Sequence, residues 1–328
     1  MRTALSVFAL LGIMSSAQAA VDIETALNKA RAACSGISEE LNTMKTMAGV
    51  GTAVSAVGTV AGGAAVATGV MKSNTEKDID ALDDLTWQAW QDIVAQNQNN
   101  CQENEGVKVC SINPDTVTAI LKKYGLDSAT DEGVFDAAKE KKMGELDKKS
   151  ETLGNIRTGT LAATTATNIA GAAVGGVNMK KARGSLSEQV SECLASVKEL
   201  SAAYGQARIS RTASDEDLGR IETIVRVCNE WSTVDLSKID NRATGAFASS
   251  VVGAATGAAG TITSALSNTD EMRMANNQKE KNLNTASNVL AGTATVASGA
   301  ATIFNATQIS VIKRASTVAD ACEGALKY

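Results

Sequence analysis

The sequence predicts an all-α protein built from two tandem antiparallel helical hairpins with Gly/Ala-rich packing and a small helical insert. Three observations carry this. One proline, Pro114, occurs in 328 residues, and proline is what breaks helix interiors. Apolar residues recur at steps of three and four through the charged parts of the chain, the spacing of one helical face. The chain also matches itself at long spacing, the mark of a duplicated unit.

Taken in order, residues 1–19 read as an export signal. Arg2 supplies the positive start, 4–14 is an uncharged and almost wholly apolar run, and Ala17-Gln18-Ala19 fits the small-x-small cleavage pattern. Such a signal predicts a periplasmic, envelope-associated or secreted product. The nearest cysteine is Cys34, so lipid attachment at the cleavage point is not expected. Without Arg2, 30 basic residues face 36 acidic ones. That balance gives no footing for nucleic acid.

The first hairpin unit spans 20–204 and the second 215–328, joined by a linker over 205–214. Ile23, Leu27, Ala30, Cys34, Ile37, Leu41 and Met44 share one helical face. So do Leu186, Val190, Cys193, Val197, Leu200 and Tyr204; Leu218, Ile221, Val225 and Cys228; and Val311, Ala315, Val318 and Cys322. Four cysteines therefore point toward cores. Shifted by 194 positions, Cys34 meets Cys228 and Ser73-Asn74-Thr75 meets Ser267-Asn268-Thr269. Shifted by 128, Ala163-Thr-Thr-Ala-Thr167 meets Ala291-Gly-Thr-Ala-Thr295 with four identities. Each unit opens and closes on a cysteine, which predicts disulfides Cys34–Cys193 and Cys228–Cys322, with Cys101–Cys110 local to the insert. An exported chain meets an oxidising compartment. With no histidine present, metal thiolates are the weaker use of these residues.

The insert, 74–153, differs in chemistry from its surroundings. Thr75 with Asp78 resembles a capping box opening a helix with Ile79, Leu82, Ala89, Trp90, Ile93 and Val94 on one face. Asn113-Pro114 opens another helix and Gly125 closes it, so a small helical subdomain is expected at the tip of the first hairpin.

Four stretches carry no charge: 47–71, 158–179, 243–269 and 283–312. Each reaches the ~20 residues a helix needs to cross a bilayer, yet each is poor in Leu, Ile and Phe. Small residues recur in them at every fourth position. Gly51, Ser55, Thr59 and Gly63 form one stripe, and Gly245, Ser249, Gly253 and Gly257 form its repeat. Gly159, Ala163, Thr167 and Gly171 answer Ala291, Thr295 and Gly299. The spacing resembles the glycine-zipper segments of bacterial envelope proteins and identifies a packing mode rather than a family. It predicts helix backbones in close approach, each arm facing the other arm of its own hairpin.

Catalytic chemistry finds little support. Without histidine there is no Ser-His-Asp or Cys-His pair and no histidine metal site. Ser310 and Lys313 have the Ser-x-x-Lys spacing but lack companion motifs, and no phosphate-cradling glycine loop occurs. Asp78, Asp80, Asp83 and Asp84 read as a solvated helix face rather than a Ca²⁺ loop. Trp87 and Trp90 read as core. No cofactor or metal is expected. The sequence favours a noncatalytic structural or interaction protein of the bacterial envelope or exterior, with a protein partner or self-association. The alternative is a secreted membrane-inserting protein, a pore former or effector, that uses the four uncharged helices.

Overall fold

A computed structural model describes residues 22–89, 91, 101–104, 107–110, 123, 126, 131–211, 213–269 and 277–327. The expected signal, the helix of 113–125 for the most part, and Trp90, Ile93 and Val94 lie outside these residues. The protein is all-α. Its helices are α1 (Ile23–Cys34), α2 (Ile37–Asp83), α3 (Glu132–Lys181), α4 (Ser187–Ser210), α5 (Asp215–Cys228), α6 (Leu236–Ser267) and α7 (Asn277–Lys327). A π-helical turn, Ala182–Leu186, joins α3 to α4, and a 3₁₀ turn, Asn229–Thr233, follows α5.

Several boundaries correct the sequence reading. Thr75 does not open a helix: α2 runs through it, and its hydroxyl donates to the Met71 carbonyl at 3.0 Å. The insert is not wholly helical. Strands β1 (Cys101–Asn104) and β2 (Val107–Cys110) pair antiparallel with Cys101 opposite Cys110; whether their sulfurs bond lies outside the described side chains. The linker is mostly helix, since α4 continues to Ser210. It ends at Arg211 with φ 55°, and Ser214 Oγ then caps α5 by accepting from Asp217 N at 3.1 Å. Between α1 and α2 the chain turns at Gly36, whose φ of 84° favours a residue without Cβ.

The chain divides into two compact units: Met1–Val54 with Ala170–Ser250 and Ala300–Tyr328, and Ser55–Ile169 with Val251–Gly299. This spatial division cuts across the repeat, because both hairpins contribute to each unit.

The first unit holds the conventional core. Ile37, Leu41, Met44, Leu186, Val197, Leu200, Ile239, Ile312 and Trp231 are buried around two disulfides, Cys34–Cys193 and Cys228–Cys322. The sulfurs of Cys34, Cys193 and Cys322 lie within 4.8 Å of one another, so the two bonds form one brace. In the same unit Gly51 of α2 faces Asn305 of α7, Gly175 of α3 faces Phe247 of α6, and Asn178 of α3 donates to the Met44 carbonyl at 3.2 Å.

In the second unit α2, α3, α6 and α7 form an antiparallel four-helix bundle. Along α2, Gly58, Gly62 and Gly69 face Ser298, Thr295 and Asn288 of α7 in descending order. Along α6, Gly253, Gly257 and Gly260 face Asn168, Thr165 and Leu161 of α3. These contacts are related by the repeat. Gly58 and Gly253 are 195 apart, as are Gly62 and Gly257, while Asn168 and Ser298 are 130 apart, as are Thr165 and Thr295. The repeat therefore holds at 195 and 130 in the bundle, not at 194 and 128. On α3 one extra residue relative to α7 is absorbed at the π-helical turn, where Ala182, Leu186 and Val190 stay buried at steps of four.

The buried positions explain this geometry. On α2 they are Ile37, Leu41, Met44, Ala48, Gly51, Ser55, Gly58, Gly62, Ala65, Gly69 and Lys72, alternating steps of four and three. On α6 the same alternation runs through Ile239, Ala243, Ala246, Ser250, Gly253, Gly257, Gly260, Ser264 and Ser267, and on α7 from Asn284 to Leu326. A mean step of 3.5 is the heptad of a left-handed coiled coil, and it keeps one face toward its neighbours indefinitely.

Candidate functional site

The uncharged stretches have inverted polarity. Asn168, Asn178, Asn284, Asn305 and Gln308 are buried, as are Ser55, Ser250, Ser264, Ser287 and Ser298. Outward faces instead carry aliphatic residues. Fifteen of the eighteen large hydrophobics exposed among the described residues fall in these stretches, among them Val60 at 75 %, Val296 at 73 % and Ile303 at 65 %. A bundle held together by the hydrophobic effect in water places these classes the other way round. Outward threonines hide their polarity: Thr68, Thr256, Thr293 and Thr307 each donate to the carbonyl four residues back, over 2.8–2.9 Å. Such a hydroxyl needs no water.

The inward polar groups form a seam in each unit. In the second, Asn168 Nδ2 donates to Ser298 Oγ at 2.9 Å and to the Thr164 carbonyl at 2.9 Å. Lys72, 1 % exposed at its side chain, donates to Asn268 at 2.8 Å and Asn284 at 3.3 Å, and is paired with Glu76 at 3.3 Å and Glu280 at 3.4 Å. Arg157 donates to Asn284 Oδ1 at 3.2 Å and to its carbonyl at 2.9 Å. Burial pushes the Glu76 carboxyl up against the pull of Lys72, and draws the Arg157 guanidinium down to about 10. In the first unit the amides of Asn305 and Gln308 and the hydroxyl of Ser250 are buried without hydrogen-bond partners.

The small-residue stripes are only partly in this seam. Gly51, Ser55, Gly171, Gly253, Gly257 and Ala291 are buried, Thr167 lies beside Gly58, and Thr295 lies beside Gly62. Thr59 and Ser249 are half-buried, and Gly245 faces the ring of Phe304. Ala163 is exposed, and Gly63, Gly159 and Gly299 have nothing within 4 Å of an added Cβ. A strict four-residue stripe precesses by about 40° per step, so it leaves the interface after two or three turns. The expected close approach of backbones also needs correction. Gly51, Gly69, Gly154 and Gly253 each make room for an asparagine side chain, whereas Gly62, Gly175 and Gly257 lie against the backbones of Thr295, Phe247 and Thr165. The partner of the α2 and α6 glycines at Gly62 and Gly253 is an arm of the other hairpin.

Other sequence-marked residues have structural roles. Asp78 pairs with Lys123 at 2.9 Å and Asp80 with Lys281 at 2.6 Å. Trp87 packs on Phe135 with centroids 5.5 Å apart, and Ser310 Oγ donates to the Thr307 carbonyl at 2.8 Å.

One set of residues was missed. The first charged residue beyond each uncharged stretch is basic at seven of the eight ends: Lys45, Lys72, Arg157, Lys180, Arg242, Lys281 and Lys313, against Asp270. In a chain with more acids than bases, reading the stretch ends rather than the stretches would have found it. By length and composition, Ile23–Asp83, Leu236–Ser267 and Gln278–Lys327 are long and apolar enough to cross a membrane. No protein-family model matches the chain, and no curated protein or solved structure is similar to it.

Proposed function

We propose that this protein is exported and noncatalytic, and that it acts by inserting into a membrane as a bundle of its four long helices. The observation that carries this reading is the inverted polarity of the uncharged stretches. Small and polar residues inside, with aliphatic residues outside, is how helices associate in lipid, where burying leucine offers no driving force and interhelical hydrogen bonds do. Back-bonded threonines and basic residues at the stretch ends, whose long stems reach back to the interface, support the same reading.

The test is flotation of purified, oxidised protein with phosphatidylcholine vesicles, followed by alkaline carbonate. Carbonate-resistant flotation is the expected result. Recovery wholly in the unbound fraction would overturn insertion and return the chain to the reading of a soluble structural protein.

A further inference from the structure

The first unit carries cations that its own acids leave alone. Lys181 is held by Glu40 at 2.9 Å and Arg183 by Asp240 at 2.7 Å. Among the described residues, Lys45 of α2, Lys180 of α3, and Lys313 and Arg314 of α7 have no acidic partner. Lys180, Lys313 and Arg314 are exposed and Lys45 is half-buried. Packing within this unit brings them to one level. The Asn178 amide on the Met44 carbonyl sets Lys45 beside the turn that carries Lys180. Gly51 against Asn305, on antiparallel helices, brings the turn of Lys45 to that of Lys313. Further into the uncharged stretches are the outward-facing Val50, Val177, Ile303 and Phe304.

A band of unpaired cations bordering an aliphatic face matches the phosphate layer of a bilayer beside its hydrocarbon. We propose that Lys45, Lys180, Lys313 and Arg314 bind the headgroups of anionic phospholipids and select membranes rich in them. The inference rests on the insertion reading and names the lipid class that this surface prefers. Overall charge works against it, since acidic residues outnumber basic ones. A preference for anionic lipid must therefore come from a local patch.

The experiment compares vesicles of phosphatidylcholine alone with vesicles of phosphatidylcholine and phosphatidylglycerol in equal parts, at low salt. A basic residue near an anionic surface strengthens binding by about fivefold, so four predict at least about tenfold tighter binding to the anionic vesicles, fading as salt rises. The variant Lys45→Gln, Lys180→Gln, Lys313→Gln, Arg314→Gln should lose that preference and keep carbonate-resistant flotation with neutral vesicles. A control with the same charge change elsewhere in the unit, Lys198→Gln, Arg208→Gln, Arg220→Gln, Arg226→Gln, should keep it; circular dichroism checks that both fold. Equal binding of the unaltered protein to both vesicles overturns the inference and leaves insertion standing. A preference lost equally in the control, or kept in the first variant, overturns the assignment to these four residues. Failure to float with either vesicle overturns insertion and the inference together.

Discussion

Gly253 of α6 lies directly against Asn168 of α3: a Cβ on the glycine would sit 2.7 Å from the asparagine Cγ. Asn168 has little freedom to withdraw, being 1 % exposed and hydrogen-bonded to Ser298 and to the Thr164 carbonyl. Gly253→Leu should therefore destabilise the fold by roughly 1–3 kcal/mol through overpacking, more than offsetting the gain of up to about 1 kcal/mol from leaving glycine in a helix. Ala254→Leu, at a half-buried position, should be milder. Thermal melts under identical oxidising conditions measure both, and a Gly253→Leu variant as stable as the parent would sink this packing.

At Gly63 the opposite sign is expected. An added methyl meets open space there, so Gly63→Ala should raise stability by up to about 1 kcal/mol. A loss at Gly63 would mean that the four-residue stripe, rather than the heptad, is the packed face.

Val60 separates lipid from water as the outer medium. It is 75 % exposed, so Val60→Lys in a bundle surrounded by water changes stability by no more than about 0.5 kcal/mol. Facing hydrocarbon, the same lysine costs roughly 3 kcal/mol near the middle of a span. Expected is an unchanged melt of the unbound protein with markedly weaker carbonate-resistant flotation. Flotation as strong as the parent's would count against Val60 facing lipid.

The disulfide brace predicts a cumulative response to reduction. Cys34–Cys193 closes a separation of 159 residues and Cys228–Cys322 one of 94. Chain-entropy arguments assign each about 5 kcal/mol. Nonreducing peptide mapping should recover these two pairs, and Cys322→Ser should lower the melting temperature strongly. A Cys193–Cys228 peptide would overturn the arrangement.

Acid should weaken the first unit through Glu40. Burial alone would raise its carboxyl, but hydrogen bonds from Lys181 and Ser185 and the lysine charge outweigh that and leave it below the ordinary range. A carboxylate with a depressed folded value adds stability that is present above its unfolded value, about 4.3, and is lost as pH falls through the folded one. Glu40→Gln should thus melt lower than the parent at neutral pH, with the gap closing as pH drops below about 4. A gap that stays constant down to pH 2 would remove Glu40 from the account.

Much of this protein was determined by its sequence alone, because the signals were local or covalent. Scarce proline and steps of three and four specify helices wherever they occur, and the paired cysteines of each repeat lie on apolar faces. Tertiary structure decided the rest. The glycines were visible, but their neighbours were not: whether Gly62 meets its own hairpin or Thr295 of the other depends on how two hairpins dock. Charge-free sequence does not say which side of a helix is wet, and the inward turn of Asn168, Asn305 and Gln308 emerges only when four helices close around them. The correct repeat register, 195 and 130, depended on one extra residue taken up in a π-helical turn. Packing registers such an offset because a one-residue slip rotates a helix face by about 100°, while local pattern barely changes.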